Sequence, residues 1–299
     1  MAIELTRTRR EQTRARYPDE TGYVERDGVR VFYEVYGAGK PTVLLLPTWT
    51  LMHSRHWKMQ IPYLARHCRV LTFDPRGNGR SDRPRQPEAY DEREFAADGL
   101  AVLDATETAS AVIVGFSMGG QRGLILAAEH PERVEGAVFI GPAFTAGGEP
   151  LPERALYDFD SEVDTVEEWA KHNRFHWLRD YEDWVEFFVS KIFTEPHSTK
   201  PIEDGVGWGL ETDAETMIAT QEAAGLTPDE TRELCQRIRC PVLVIQGKDD
   251  AITSYTRAEA MAEQTRGELV LLEGSGHAPH IRDPVKVNLL IREFLESLS

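Results

Sequence analysis

The stretch Ala111-Val112-Ile113-Val114-Gly115-Phe116-Ser117-Met118-Gly119-Gly120 decides the reading of this 299-residue chain. Its first four residues are an apolar run of the kind that makes a strand buried on both faces, and the residues from Met118 to Glu129 carry helical spacing. Ser117 lies between the two, with a glycine two positions away on either side. A serine at the tip of so sharp a turn is held in strained backbone geometry, and a side chain at 115 or 119 would strike the adjoining strand or helix. The pattern predicts a strand-to-helix elbow with Ser117 as nucleophile. A serine hydroxyl is a poor nucleophile at neutral pH, so the prediction requires a histidine base and an acid to orient it.

Both requirements have candidates downstream. Pro241-Val242-Leu243-Val244-Ile245-Gln246-Gly247-Lys248-Asp249-Asp250 reads as a buried strand ending in a turn with two carboxylates. A helical segment near 254–264, a short strand near 269–273 and the loop Gly274-Ser275-Gly276-His277 follow. The residues alone leave Asp249 and Asp250 both open as the acid, since an Asp after a strand commonly caps the next helix. His277 is the candidate base, and His280 is the other histidine of that loop.

Five segments in this order resemble the α/β-hydrolase family, in its esterase, lactonase and carbon-carbon hydrolase branches, from about residue 22 onward. They are Leu44-Leu45-Leu46-Pro47-Thr48-Trp49, Asp74-Pro75-Arg76-Gly77-Asn78-Gly79-Arg80-Ser81-Asp82, the elbow, Gly247-Lys248-Asp249-Asp250 and Gly274-Ser275-Gly276-His277. The resemblance implies a mostly parallel eight-stranded sheet flanked by helices, with an inserted α-helical cap. It carries the acid to Asp250, three residues after the glycine of its turn, and the base to His277. The position one strand earlier, used by some relatives, reads Ile140-Gly141-Pro142-Ala143 and has no carboxylate. Asp74 takes the family's structural role of tying down loop backbone. The oxyanion donors carry over to the N–H groups of Met118 and Trp49; the usual His-Gly before the second donor is Pro47-Thr48 here, which reshapes that loop.

The implied activity is hydrolysis of a carboxylic ester or lactone with an apolar body through an acyl-enzyme, with no organic cofactor and no metal. Carbon-carbon hydrolase and cofactor-free perhydrolase activities share such an elbow, and a ligand-sensing receptor with a slow triad uses the same fold. A haloalkane dehalogenase would need Asp at 117.

From about Pro150 to Leu226 the strand–helix alternation stops, and apolar residues recur at helical spacing, as in Tyr181, Trp184, Val185, Phe188 and Ile192. This reads as the cap, giving a basic extension at 1–20, core at 21–148, cap at 149–228 and core again at 229–299. The segment is rich in aromatics, which predicts an apolar pocket wall as well as internal packing. His53, Trp57, His197 and Trp208 are the candidate substrate contacts. His172 and His176 have i, i+4 spacing but no glutamate after the first, so a helix face is favoured over a metal site.

Formal charge is −16, and between Glu149 and Glu233 stand 22 Asp and Glu against 7 Lys and Arg. That field argues against nucleic acid, anionic membranes and strongly anionic substrates as partners, leaving a small molecule and room for a homo-oligomer. Arg7, Arg9, Arg10, Arg14 and Arg16 make a basic N-terminal arm suited to an acidic surface. Without a secretory signal or a bilayer-length apolar run, and with the odd set Cys68, Cys235 and Cys240, the expected location is cytoplasmic.

Overall fold

The apolar run around Val112 forms β5 (Ala111–Phe116), the fifth strand across a sheet ordered β1-β2-β4-β3-β5-β6-β7-β8. The others are β1 (Glu20–Arg26), β2 (Val29–Tyr36), β3 (Thr42–Leu46), β4 (Arg69–Phe73), β6 (Val134–Ile140), β7 (Val242–Gly247) and β8 (Glu268–Leu272). β2 pairs antiparallel with both β1 and β4, and every other pairing is parallel. The computed structural model describes residues 16–298. Of the basic arm only Arg16 falls within them, pairing with Asp19 at 3.0 Å; the rest lies outside the described residues.

β5 and β7 are buried at every position, which is why they read as continuous apolar runs without alternation. Their side chains still divide by the two-residue period. Val112, Val114 and Phe116 join one core with Trp57, Trp184 and Ile291, while Ala111 and Ile113 join another with Leu124, Val102 and Met261. The second core is covered by α1 (Glu92–Ala105) and α2 (Met118–Glu129).

Between β6 and β7 the described residues contain no strand. This insert carries α3 (Arg174–Arg179), α4 (Tyr181–Ile192), α5 (Thr199–Gly209) and α6 (Ala214–Glu222). Asn173, Asp180 and Asp213 cap α3, α4 and α6 with their side-chain oxygens. Thr227 and Glu230 form a reciprocal capping box that starts α7 (Pro228–Arg237), which packs back on α2. The chain continues through α8 (Tyr255–Thr265) and closes with α9 (Pro284–Ser297). Asp283 stands at the N-cap of α9 but accepts no capping bond, so the start of the helix rests on Pro284 in its first turn. The three cysteines are free. No helix among the described residues is long and apolar enough to cross a membrane.

Candidate active site

In a parallel sheet the loops at the carboxyl ends of the strands share one edge, and here four of those loops meet. β5 delivers Ser117, β7 delivers Asp250, β8 delivers His277, and β3 delivers Pro47 to Trp49. Ser117 has φ 53° and ψ −116°, a sparsely populated region for any residue with a Cβ. Two backbone bonds to the β6 end fix it there: its N–H donates to the Ile140 carbonyl at 2.9 Å, and its carbonyl accepts from Ala143 at 3.0 Å. The flanking glycines have a steric reason. A Cβ at Gly115 would lie 2.3 Å from the Gly119 carbonyl oxygen, and one at Gly119 would lie 2.9 Å from the Pro47 oxygen. The first clash is with the start of the helix itself, and the second with the loop after β3.

His277 is 2% exposed, and its Nδ1 lies 2.7 Å from Asp250 Oδ2. Asp250 is fully enclosed in donors. Gln246 Nε2 and the Thr253 hydroxyl donate to Oδ2 at 2.8 and 2.9 Å, and the N–H groups of Ile252 and Thr253 donate to Oδ1 at 2.7 and 2.9 Å. Burial alone would raise this carboxyl, but the His277 contact and these hydrogen bonds outweigh it and hold the group below the usual carboxylate range. An ionised Asp250 accepting at Nδ1 leaves Nε2 of His277 as the nitrogen for proton transfer. Asp249 is exposed and contributes a backbone bond to Ser275. The loop carrying His277 is also tied to the insert, where Glu195 accepts from the Gly276 N–H at 2.8 Å.

Ser117, Met118, Thr48, Trp49 and His277 all line one cavity of about 250 Å³. The Pro47-Thr48 loop owes its shape to a residue that the sequence reading passed over. Arg122, 1% exposed, donates Nη1 to the carbonyls of Pro47 and Thr48 at 3.0 and 2.5 Å and Nε to Glu92 at 2.9 Å. Its guanidinium lies 3.5 Å from the ring centre of Phe95. A trans peptide points its C=O and N–H in opposite directions. Holding the Thr48 carbonyl on Arg122 therefore turns the Trp49 N–H away from Arg122. A polar Gln121-Arg122 pair at the start of an otherwise apolar helix was the available signal.

The four residues expected as substrate contacts stand away from this cavity. Trp57 is fully buried, with its indole N–H on the Leu46 carbonyl at 3.1 Å. Trp208 is buried against His53, and the His53 ring is enclosed between Asp74 at 3.8 Å and Glu211 at 3.6 Å. His197 is exposed, at φ 62°, with its carbonyl on Arg282. None of them lines the cavity. Of the insert's aromatic residues only Phe188 does so; the rings of Trp177 and Trp184 pack on each other, tilted by 36°, with centroids 4.0 Å apart. His172 and His176 do not converge, since His172 meets Gln221 and His176 meets Asp183. Asp74 accepts from the Ser54 N–H and hydroxyl and from the Arg80 N–H, tying its loop down.

Against Phe116 lies a second histidine pair, His56 Nδ1 and His280 Nε2, 3.2 Å apart and fully buried. Burial, reinforced by the neighbouring histidines, pushes both far below the ordinary value, His280 to about 3. They are neutral, and one donates to the other.

The model of the α/β hydrolase fold matches residues 41–284. The chain is 28% identical over 277 residues to a Bacillus subtilis AB hydrolase superfamily protein, covering 90% of this chain and 96% of that one. It is 26% identical over 262 residues to 3-oxoadipate enol-lactonase 2 of Acinetobacter baylyi, covering 87% and 91%. Among solved structures it resembles Est816, an N-acyl homoserine lactone degrading enzyme (TM-score 0.75, 25% identity, 91% of this chain and all of that one). It also resembles the esterase RhEst1 from Rhodococcus (TM-score 0.76, 25% identity, 93% and 98%). The chain belongs to the α/β-hydrolase fold family.

Proposed function

We propose that this protein is a serine hydrolase that cleaves a carboxylic ester or lactone with an apolar body through a Ser117–His277–Asp250 triad. The observation that carries the reading is the 2.7 Å His277–Asp250 contact in the same cavity wall as a serine on a strained elbow. His277 takes the Ser117 proton as the hydroxyl attacks the carbonyl, and Asp250 stabilises the imidazolium that forms. The N–H groups of Met118 and Trp49 receive the oxyanion. Protonated His277 then gives its proton to the leaving alkoxide, and the resting imidazole activates the water that opens the acyl-enzyme. Leu51, Met52, Phe116, Phe188 and Ile192 supply apolar wall for the body of the substrate. The insert acts as a cap, because Arg154, Phe188, Ile192 and Thr220 close the cavity from its side. A cytoplasmic, small-molecule enzyme is the setting that fits this chemistry.

The test is hydrolysis of p-nitrophenyl esters of increasing acyl length by wild type and Ser117→Ala, with intact mass recorded during the reaction. Sustained turnover that falls about 10⁴-fold or more in Ser117→Ala, with stability changed by less than about 1 kcal/mol, is the expected result. Turnover surviving in Ser117→Ala would sink the triad. A single burst leaving a stable adduct on Ser117 would point to a receptor instead.

A further inference from the structure

The cavity wall contains four charged side chains besides the catalytic histidine: Glu92, Arg122, Arg154 and Arg257. Glu92 and Arg122 neutralise each other at 2.9 Å. The other two do not resolve this way. Arg154 donates to the Ile252 carbonyl at 2.7 Å and lies 5.0 Å from the ring centre of Trp169, but it has no carboxylate partner among the described residues. The Arg257 guanidinium makes neither an ion pair nor a side-chain hydrogen bond among the described residues. Arg69 and Arg83 also bond only to neutral oxygens, but they stand away from the cavity, whereas Arg154 and Arg257 line the same cavity as Ser117.

Their location is what sets these two arginines apart. Arg154, Ile252, Thr253 and Arg257 line both the Ser117 cavity and a more open depression beside it, so they form the boundary between the two. Ser117 sits within the cavity, and the guanidiniums stand at its rim. Burial lowers both groups from the ordinary arginine value, and for Arg154 the nearby charge of Arg257 adds to it while the Asp250 carboxylate opposes it without forming an ion pair; a guanidinium keeps its proton at any physiological pH. Two cations in each other's field, partly removed from water and unable to lose their protons, are stabilised by one arriving anion.

We propose that the substrate carries a carboxylate, bound at the cavity rim by Arg154 and Arg257, while its ester or lactone carbonyl lies at Ser117. This rests on the serine-hydrolase reading of the cavity and narrows its substrate class to esters or lactones with one free carboxylate. It also reverses locally what the net charge of the chain predicts. The two planar forks select carboxylate over a neutral ester by charge and by paired N–H donors.

The test separates binding from turnover. Monomethyl esters of the straight-chain dicarboxylic acids from succinate to suberate, and the matching dimethyl esters, are titrated calorimetrically into folded Ser117→Ala protein. At least one monoester should bind ten-fold or more tightly than its diester at low salt, with the advantage shrinking as salt is added. Adding Arg154→Gln or Arg257→Gln to Ser117→Ala should each cut that ratio about ten-fold, with part of it retained in the lysine versions. Equal or weaker binding of every monoester, or a preference that survives both neutralisations, would overturn the proposal. Should a glutamine variant not fold, the ratio and its salt dependence in Ser117→Ala decide alone. Wild-type turnover is then measured on the same esters: preferential binding of a monoester with no Ser117-dependent cleavage of any ester would leave the anion site standing and remove the hydrolase reading.

Discussion

Arg122, on the core helix α2, and Arg154, on the insert, line the same cavity and have opposite electrostatic fates. Arg122, on α2 at the floor, is bound to Glu92 and to two loop carbonyls, so its charge is spent on shape. Arg154, on the insert at the rim, has a single carbonyl and an aromatic face. The floor keeps each charge matched, Asp250 with His277 and Glu92 with Arg122, because catalysis needs fixed directions; the rim leaves charge unmatched, as a surface that receives a ligand must. A buried charge with a full set of partners reads as scaffold, and one lacking a counter-ion reads as a receptor for something outside the chain.

The strongest way to break the comparison is to unmatch the floor. Asp250→Asn leaves the side chain in place but removes the charge that orients the His277 tautomer, and kcat should fall by about 10³- to 10⁴-fold. Asp249→Asn, on an exposed turn residue, should stay within a few-fold; steady-state kinetics of the pair decides, and the reverse order would move the acid by one position. Next in size, Arg122→Leu should cost roughly 3–5 kcal/mol of stability by stranding the Glu92 carboxylate, and about 10²-fold in kcat by releasing the peptide that aims the Trp49 N–H. Adding Glu92→Leu should restore much of the stability but not the rate, as denaturation and kinetics of the single and double variants would reveal. Recovery of both together would make Arg122 a structural residue only.

The smallest effect sharpens the contrast from the side of groups that can discharge. His56, His172 and His280 answer burial by giving up the proton, which no arginine can do. Their folded values lie below the ordinary 6.5, with His172 and His280 at about 3, so the unfolded chain protonates first as pH falls. The stability they represent is complete above pH 6.5 and is lost on descending toward 3, at a limiting slope on the order of 1 kcal/mol per pH unit for each histidine. Denaturant midpoints at pH 7.5 and 5.5 should show this fall, and His280→Gln should flatten it. A slope unchanged in that variant would mean that His280 titrates normally.

The floor was far more legible in the sequence than the rim. β5, the elbow and α2 declare themselves through local steric rules, since a strand, a glycine-flanked serine and a helix are contiguous. Asp250 and His277 lie near the ends of contiguous strands, so chain order was enough to nominate them. Arg122, Glu195 and Arg154 act through partners 74, 81 and 98 residues away, and no local pattern encodes such a meeting. The aromatic spacing of the insert correctly marks burial, as at Trp184 and Phe188, but burial against another helix and burial against a cavity leave the same periodicity. Trp208 shows the limit of such a pattern, since its ring is buried against His53 and does not line the cavity. Net charge is equally coarse, because an average over 299 residues is silent about two arginines lining one cavity.

The insert leaves the sheet after β6 and returns before β7, and those two strands are hydrogen-bonded neighbours. The pairing is parallel, so α7 is the crossover that returns the chain to the start of β7, and the segment between β6 and α7 can be exchanged for another without re-registering a single strand. Arg154 would leave with it, while Arg257, on α8, would remain with the core. With the proposed carboxylate site, substrate choice would be written half on a replaceable module and half on its chassis, and an exchanged insert that lacked the arginine would inherit a ready-made, single positive charge to build upon.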